Sequence, residues 1–139
     1  MSRIAGLDIG EKTVGIAISD PMHLIAQGLM TYRRKDLETD LLNIIQILKE
    51  NDVNFIVVGL PKNMNDSLGA SSQRVMNFAN RLRDKSGLEI YYQDERLTTV
   101  SANRVLIESK VRREKRKKYV DKIAATYILQ TYLDRGSYG

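Results

Sequence analysis

The sequence predicts an α/β fold: a mixed five-stranded sheet, three antiparallel strands then two parallel βαβ strands, with helices on both faces. Three observations carry this. Three β-branched, apolar segments open the chain with only short polar turns between them. After residue 36 the apolar residues switch to helical spacing. From there strand and helix alternate, the pattern of parallel βαβ units with right-handed crossovers.

In order along the chain, Ile4–Ile9, Val14–Ser19 and Leu24–Tyr32 read as strands. Links as short as Gly10–Thr13 and Asp20–His23 make them antiparallel neighbours. Leu37, Leu41, Ile44, Ile45 and Leu48 then share one helical face, with Asp36 suited to the N-cap and Asn51-Asp52 ending the run. Phe55–Val58 is a continuous apolar strand, followed by a loop, Gly59–Gly69. A second helix gathers Val75, Phe78, Ala79 and Leu82, and Leu88–Tyr92 supplies the fifth strand. Two more helices are expected, near Thr99–Glu108 and Tyr119–Leu133, the second with Val120, Ala124, Tyr127 and Ile128 inward. With no repeat and no linker to divide it, the chain 1–139 is expected to form one domain.

Composition narrows the function. At 42% hydrophobic and 28% charged residues, with two prolines, the chain is neither disordered nor fibrous. The absence of cysteine removes disulfides, zinc–thiolate sites, iron–sulfur clusters and thiol catalysis together, and suits the reducing cytoplasm, where the protein is expected to reside. No apolar run approaches the roughly 20 residues of a membrane helix. The 22 basic and 17 acidic residues give a net charge of +5. Lys110–Lys118 alone holds seven of the basic residues against one acid, Glu114, so everything else sums to −1. The run precedes the last helix and reads either as a mobile, solvated connection that aids solubility or as a surface for a polyanion. If all seven cations met phosphates, log affinity would fall against log salt with a slope of about −6 for duplex DNA or about −5 for single strands. No aromatic interleaves with the run, so base stacking is not indicated there.

Three acids stand out. Asp8 lies inside a strand apolar enough to be central, where an ionised carboxylate is costly unless something positive meets it. Glu95 follows the fifth strand. Ligands gather beyond the carboxyl ends of parallel strands, so it can converge with Asp8. Asp121 sits at the edge of the last helix's buried stripe, with Ala125 and Ile128 one and two turns on. Taken singly, each has a structural explanation: a strand-end Asp bonding its turn, a solvated Asp94-Glu95 pair beside Arg96, a first-turn carboxylate balancing a helix dipole. Taken together, in a chain with no Cys and one His, they form a hard-oxygen set that selects magnesium or manganese. Two such ions about 4 Å apart could activate a water for in-line attack on a phosphodiester. His23, the lone histidine, reads as a surface turn residue. The 59–69 loop leads into a helix N-terminus whose amides could receive a phosphate.

Four motifs in order carry a family resemblance. They are Asp8-Ile9-Gly10-Glu11-Lys12 running into Val14–Asp20, then Val57-Val58-Gly59-Leu60-Pro61 with Asn63-Met64, then Asp94-Glu95-Arg96-Leu97-Thr98-Thr99, and Val120-Asp121-Lys122 with Ala124-Ala125 and Ile128-Leu129-Gln130. Together they look like the YqgF (RuvX) family, over nearly the whole chain. The resemblance implies a ribonuclease H-like fold, kinship with RuvC-type resolvases, and hydrolysis of structured nucleic acid. The substrate implied is the 5′ end of pre-16S rRNA in ribosome biogenesis, or alternatively a DNA Holliday junction. It further implies metal-ligand and catalytic roles for Asp8, Glu95 and Asp121, with Mg2+ or Mn2+ as cofactor, two ions with substrate bound. It also implies phosphate contacts from Lys12, Asn63, Arg112, Arg113, Lys115, Arg116, Lys117 and Lys118, the last six on a flexible arm over the site. Expected partners are pre-rRNA or branched DNA and ribosomal particles, with the protein a monomer or weak dimer. Two departures matter: Thr13 stands where the family often has a basic residue, and Ala124-Ala125 replaces a fourth acid of RuvC-type enzymes, so the second metal would be held more loosely. Two rivals remain. One is a non-catalytic RNA-binding assembly factor that keeps the fold and the arm. The other is a nucleotide-binding fragment, since Asp8-x-Gly10 before a Gly15 hairpin also resembles the phosphate loop of actin-like ATPases.

Overall fold

A computed structural model describes residues 2–60, 70–94 and 113–136 of the chain. Five strands, β1 (Arg3–Ile9), β2 (Thr13–Ser19), β3 (Ala26–Arg33), β4 (Val53–Leu60) and β5 (Glu89–Asp94), form one sheet in the order β3-β2-β1-β4-β5. β1, β2 and β3 pair antiparallel, whereas β4 runs parallel to both β1 and β5. The helices are α1 (Leu37–Glu50), α2 (Ala70–Ser86) and α3 (Arg113–Gly136).

The period of two along each strand divides the core into two. Ala5, Leu7 and Ile9 of β1 join Val14, Ile16, Ile56 and Val58 beneath α1 and α2, packing against Leu41, Ile44, Leu48, Phe78 and Leu82. On the other face Ile4, Ala17 and Val57 meet Ala125, Ile128, Leu129 and Leu133 of α3. Helices therefore cover both faces, as expected. An alanine Cβ at Gly6 would fall 2.7 Å from Leu129 Cβ and 2.9 Å from the Ala125 carbonyl oxygen, so glycine lets α3 lie directly on the central strand.

α1 begins as the sequence predicts. Asp36 caps it, accepting from the Thr39 amide at 3.0 Å and the Thr39 hydroxyl at 2.7 Å. Asn51 ends it, and Asp52 follows at φ 55°.

Several boundaries differ from expectation. β3 starts at Ala26 rather than Leu24, because Asp20 Oδ1 takes the amides of Leu24 (2.7 Å) and Ile25 (2.8 Å) and holds them in the turn. β4 and β5 run on to Leu60 and Asp94, because they pair with each other through Gly59↔Gln93 and Leu60↔Asp94. α3 starts at Arg113 instead of Tyr119, so Arg113, Lys115, Arg116, Lys117 and Lys118 stand on the helix and not on an arm ahead of it. The expected helix at Thr99–Glu108 and residues 61–69 of the expected loop lie outside the described residues. Among the described residues no helix is long and apolar enough to cross a membrane.

Candidate active site

The carboxyl ends of β1, β4 and β5 share one edge of the sheet, since the three strands are parallel. Asp8 lies at that edge, 8% exposed, two residues beyond Gly6 and therefore on the face covered by α3. Leu7 pairs with Val58 and Val58 with Tyr92. One residue further along, Asp8, Gly59 and Gln93 share a level. Gln93 is buried and follows Tyr91 by two residues; the Tyr91 ring stands 6.0 Å from Tyr132 of α3, so Gln93 also faces α3. Asp8 and Gln93 thus flank Gly59 about 10 Å apart, two strand spacings.

The path of α3 brings residue 121 toward this edge. Ala125 lies over Gly6, while Gln130, further along, accepts from the Ala26 amide (2.8 Å) and donates to the Leu24 carbonyl (3.0 Å) at the opposite end of the sheet. The helix therefore runs away from the Asp8 edge. One turn back from Ala125 is about 6 Å of helix, and two residues on from Gly6 is about 6.6 Å of strand. The backbone of residue 121 is consequently level with Asp8 and on the Ala125 side of the helix. It also lies in the helix's third turn, beyond the reach of the N-terminal dipole, which removes the capping explanation for an acid there. Ala124 and Ala125, one turn further on, are fully buried.

Of the other predicted residues, Lys12 is exposed in the β1–β2 turn at the same edge. Glu95, Asn63 and Arg112 lie outside the described residues. His23 sits at the far end of the sheet, its Nε2 3.1 Å from the Ser2 carbonyl oxygen, as a surface turn residue.

Two residues that sequence reasoning passed over build the turn. Asp40 is fully buried and accepts from Tyr32 Oη (3.1 Å), Arg34 Nε (3.1 Å) and the Lys35 amide (2.8 Å). Arg34 in turn donates through Nη1 to the Gly10 carbonyl (2.8 Å) and through its amide to the Lys12 carbonyl (2.9 Å), with its guanidinium 4.9 Å above the Phe78 ring. A buried acid on α1 thus holds, through one arginine, the turn that follows Asp8. Burial pushes the Tyr32 phenol up, and the hydrogen bond to Asp40 adds to that. From α2, Arg74 reaches the same turn by an ion pair to Glu11 at 2.8 Å. The one signal in the sequence was an acid at position 40, beside the apolar stripe of α1.

Known proteins share the sequence pattern and the fold. The chain is 54% identical over 132 residues, 95% of its length and 96% of the relative's, to a protein of Clostridium botulinum (strain Hall) named "Putative pre-16S rRNA nuclease". It is 50% identical over 133 residues, 96% of this chain and 95% of the relative, to a protein of the same name in Moorella thermoacetica. Among solved structures it resembles Thermus thermophilus RuvC in complex with a Holliday junction substrate, with a TM-score of 0.64 at 12% identity over 99% of this chain and 98% of that one. The fowlpox virus Holliday junction resolvase follows with a TM-score of 0.55 at 15% identity over 95% and 98% of the two chains. These likenesses show the RuvC-like, ribonuclease H-like fold that the motifs implied. A family model described as "RuvX: Holliday junction resolvase" matches residues 2–135, and the chain belongs to the RuvX family.

Proposed function

We propose that this protein is a divalent-metal-dependent nuclease that hydrolyses phosphodiester bonds in structured nucleic acid, processing the 5′ end of pre-16S rRNA in the cytoplasm. The observation that carries the reading is Asp8: a buried carboxylate at the carboxyl edge of the central strand, facing the helix that contains residue 121. The names of the relatives at 50–54% identity supply the substrate.

The donor chemistry fits magnesium or manganese. The chain has no cysteine, and its one histidine stands at the other end of the sheet, so the ligands are carboxylate oxygens. Asp8, Glu95 and Asp121 are the proposed ligands, holding two ions when substrate is bound. Bound divalent cations would supply Lewis acidity and an activated water for in-line displacement. The chain's own part is positional: Asp8 is fixed by its strand, and Lys12 by the turn that Arg34 clamps, beside the path of the phosphate backbone. The basic residues at the start of α3 are proposed to hold that backbone on the approach.

The test is manganese-dependent cleavage of end-labelled pre-16S RNA by the wild type and Asp8→Asn. Cleavage lost to background with affinity kept or slightly raised supports the ligand role, and unaltered cleavage rules it out. The description of the family favours a second reading, a four-way DNA junction as substrate, and the same assay on a labelled junction decides between the two. A wild type that binds RNA but cuts neither would make the protein a non-catalytic assembly factor.

A further inference from the structure

At the corner where the β1–β2 turn meets the end of β3, the acids are already engaged. Glu11 is paired with Arg74, and Asp40 is buried under Arg34. Of the exposed cations left over there, Lys12, Arg33 and Lys35, two flank the candidate site. Lys12 and Arg33 are both exposed, and neither forms an ion pair among the described residues.

Arg33 is placed by register. It is the cross-strand partner of Thr13, and because Tyr32 beside it belongs to the core under α1 and α2, Arg33 leaves the sheet on the opposite face, that of α3 and Asp8. Asp8 is level with Gly15 and Gly15 with Thr31, so Arg33 lies two strands sideways and two residues beyond. That places it about 12 Å from Asp8 between Cα atoms, the axial span of about three phosphates of a duplex strand. The position is rigid as well as charged. The next residue, Arg34, is tied to Asp40, Gly10 and Lys12, which fixes the backbone carrying Arg33 against the turn carrying Lys12.

The geometry points to Arg33, with Lys12, as a second contact for the phosphodiester backbone, on the edge-strand side of the candidate site and independent of the Lys110–Lys118 run. It rests on the reading of the chain as a nucleic-acid enzyme, and it assigns a flank of the sheet along which the backbone runs beside the candidate site. The contact is to phosphate, so it carries no base specificity.

Binding in EDTA tests it, since no cleavage then occurs and the result does not depend on catalysis. The probes are a labelled single-stranded RNA bearing the pre-16S 5′ end and a four-way DNA junction, titrated between 50 and 200 mM salt, the range over which such contacts are read out. One lost phosphate contact makes the log–log slope less negative by about 0.7 for the RNA or about 0.9 for the duplex arms, and weakens binding about five- to eightfold at 0.1 M salt. Arg33→Gln is expected to show this on the probe that is the true substrate, with an unchanged melting temperature. Lys49→Gln, the same charge change at the far end of α1, is expected to show nothing. Wild-type affinity and slope in Arg33→Gln would overturn the proposal, as would an equal loss in Lys49→Gln, which would mean bulk charge alone. Loss in Arg33→Gln alongside a wild type that never cleaves would leave this surface standing and sink the nuclease reading instead.

Discussion

Gly6 of β1 and Leu129 of α3 touch so closely that a methyl group at Gly6 would stand 2.7 Å from the Leu129 Cβ, with the Ala125 carbonyl oxygen at 2.9 Å. A backbone atom cannot rotate away, so Gly6→Ala must lift the helix. Overpacking of this kind costs about 1–3 kcal/mol. The lift acts two residues from Asp8 and one turn from residue 121, so cleavage is expected to fall further than the loss of folded protein explains. Denaturant melts beside initial rates on the folded fraction check this, and rates that merely track stability would contradict it.

Asp40 supports a different wall of the same site. Asp40→Ala strands three donors, Tyr32 Oη, Arg34 Nε and the Lys35 amide, around a fully buried position. Removing one partner of a buried pair costs about 3–5 kcal/mol, and the partial exposure of Arg34 sets the expectation at about 3 kcal/mol. Asp40→Asn keeps an acceptor and should lose less. Urea unfolding of the two variants measures the difference.

Changing Arg112, Arg113, Lys115, Arg116, Lys117 and Lys118 to Gln should weaken nucleic-acid binding and flatten its salt slope by up to about 5 for duplex DNA. Stability should hold or rise slightly. Five of these cations lie on the first two turns of α3, where the positive end of the helix dipole opposes them. A marked drop in melting temperature would show that the run is structural.

Acid stability should depend on two turn carboxylates. The Ile25 amide, with those of Leu24 and Met22, holds Asp20 below the ordinary 3.8, and the Thr39 amide and hydroxyl hold Asp36 below it in the same way. Both bind a proton more readily unfolded than folded. Their contribution is thus complete above the unfolded pKa and is lost as pH falls through the folded one. Between pH about 4 and 2 the double variant Asp20→Asn, Asp36→Asn should lose stability less steeply than the wild type, as melting temperatures would record. Equal slopes would count against it.

Much of the fold was legible because periodicity reports burial. The two-residue alternation of β1 and the stripe Leu41, Ile44, Ile45, Leu48 correspond to the observed core. Asp8 was legible for a related reason: a charge inside an apolar strand needs an explanation. What the sequence hid depends on partners distant in the chain. The extra residues of β4 and β5 are strand because they pair with each other. The early start of α3 escaped because a cationic stretch carries no apolar stripe to mark its period. Asp40, Arg34 and Arg33 were passed over because register and cross-strand neighbours, which decide their roles, are not local properties.

Gln130 bonds to Leu24 and Ala26 across more than a hundred residues of chain. Contacts of such separation form slowly, because loop closure must precede them. Asp8 on β1 and residue 121 on α3 are brought to one level only when this helix is seated on the sheet, so the proposed hydrolytic centre exists only once the two ends of the chain have met.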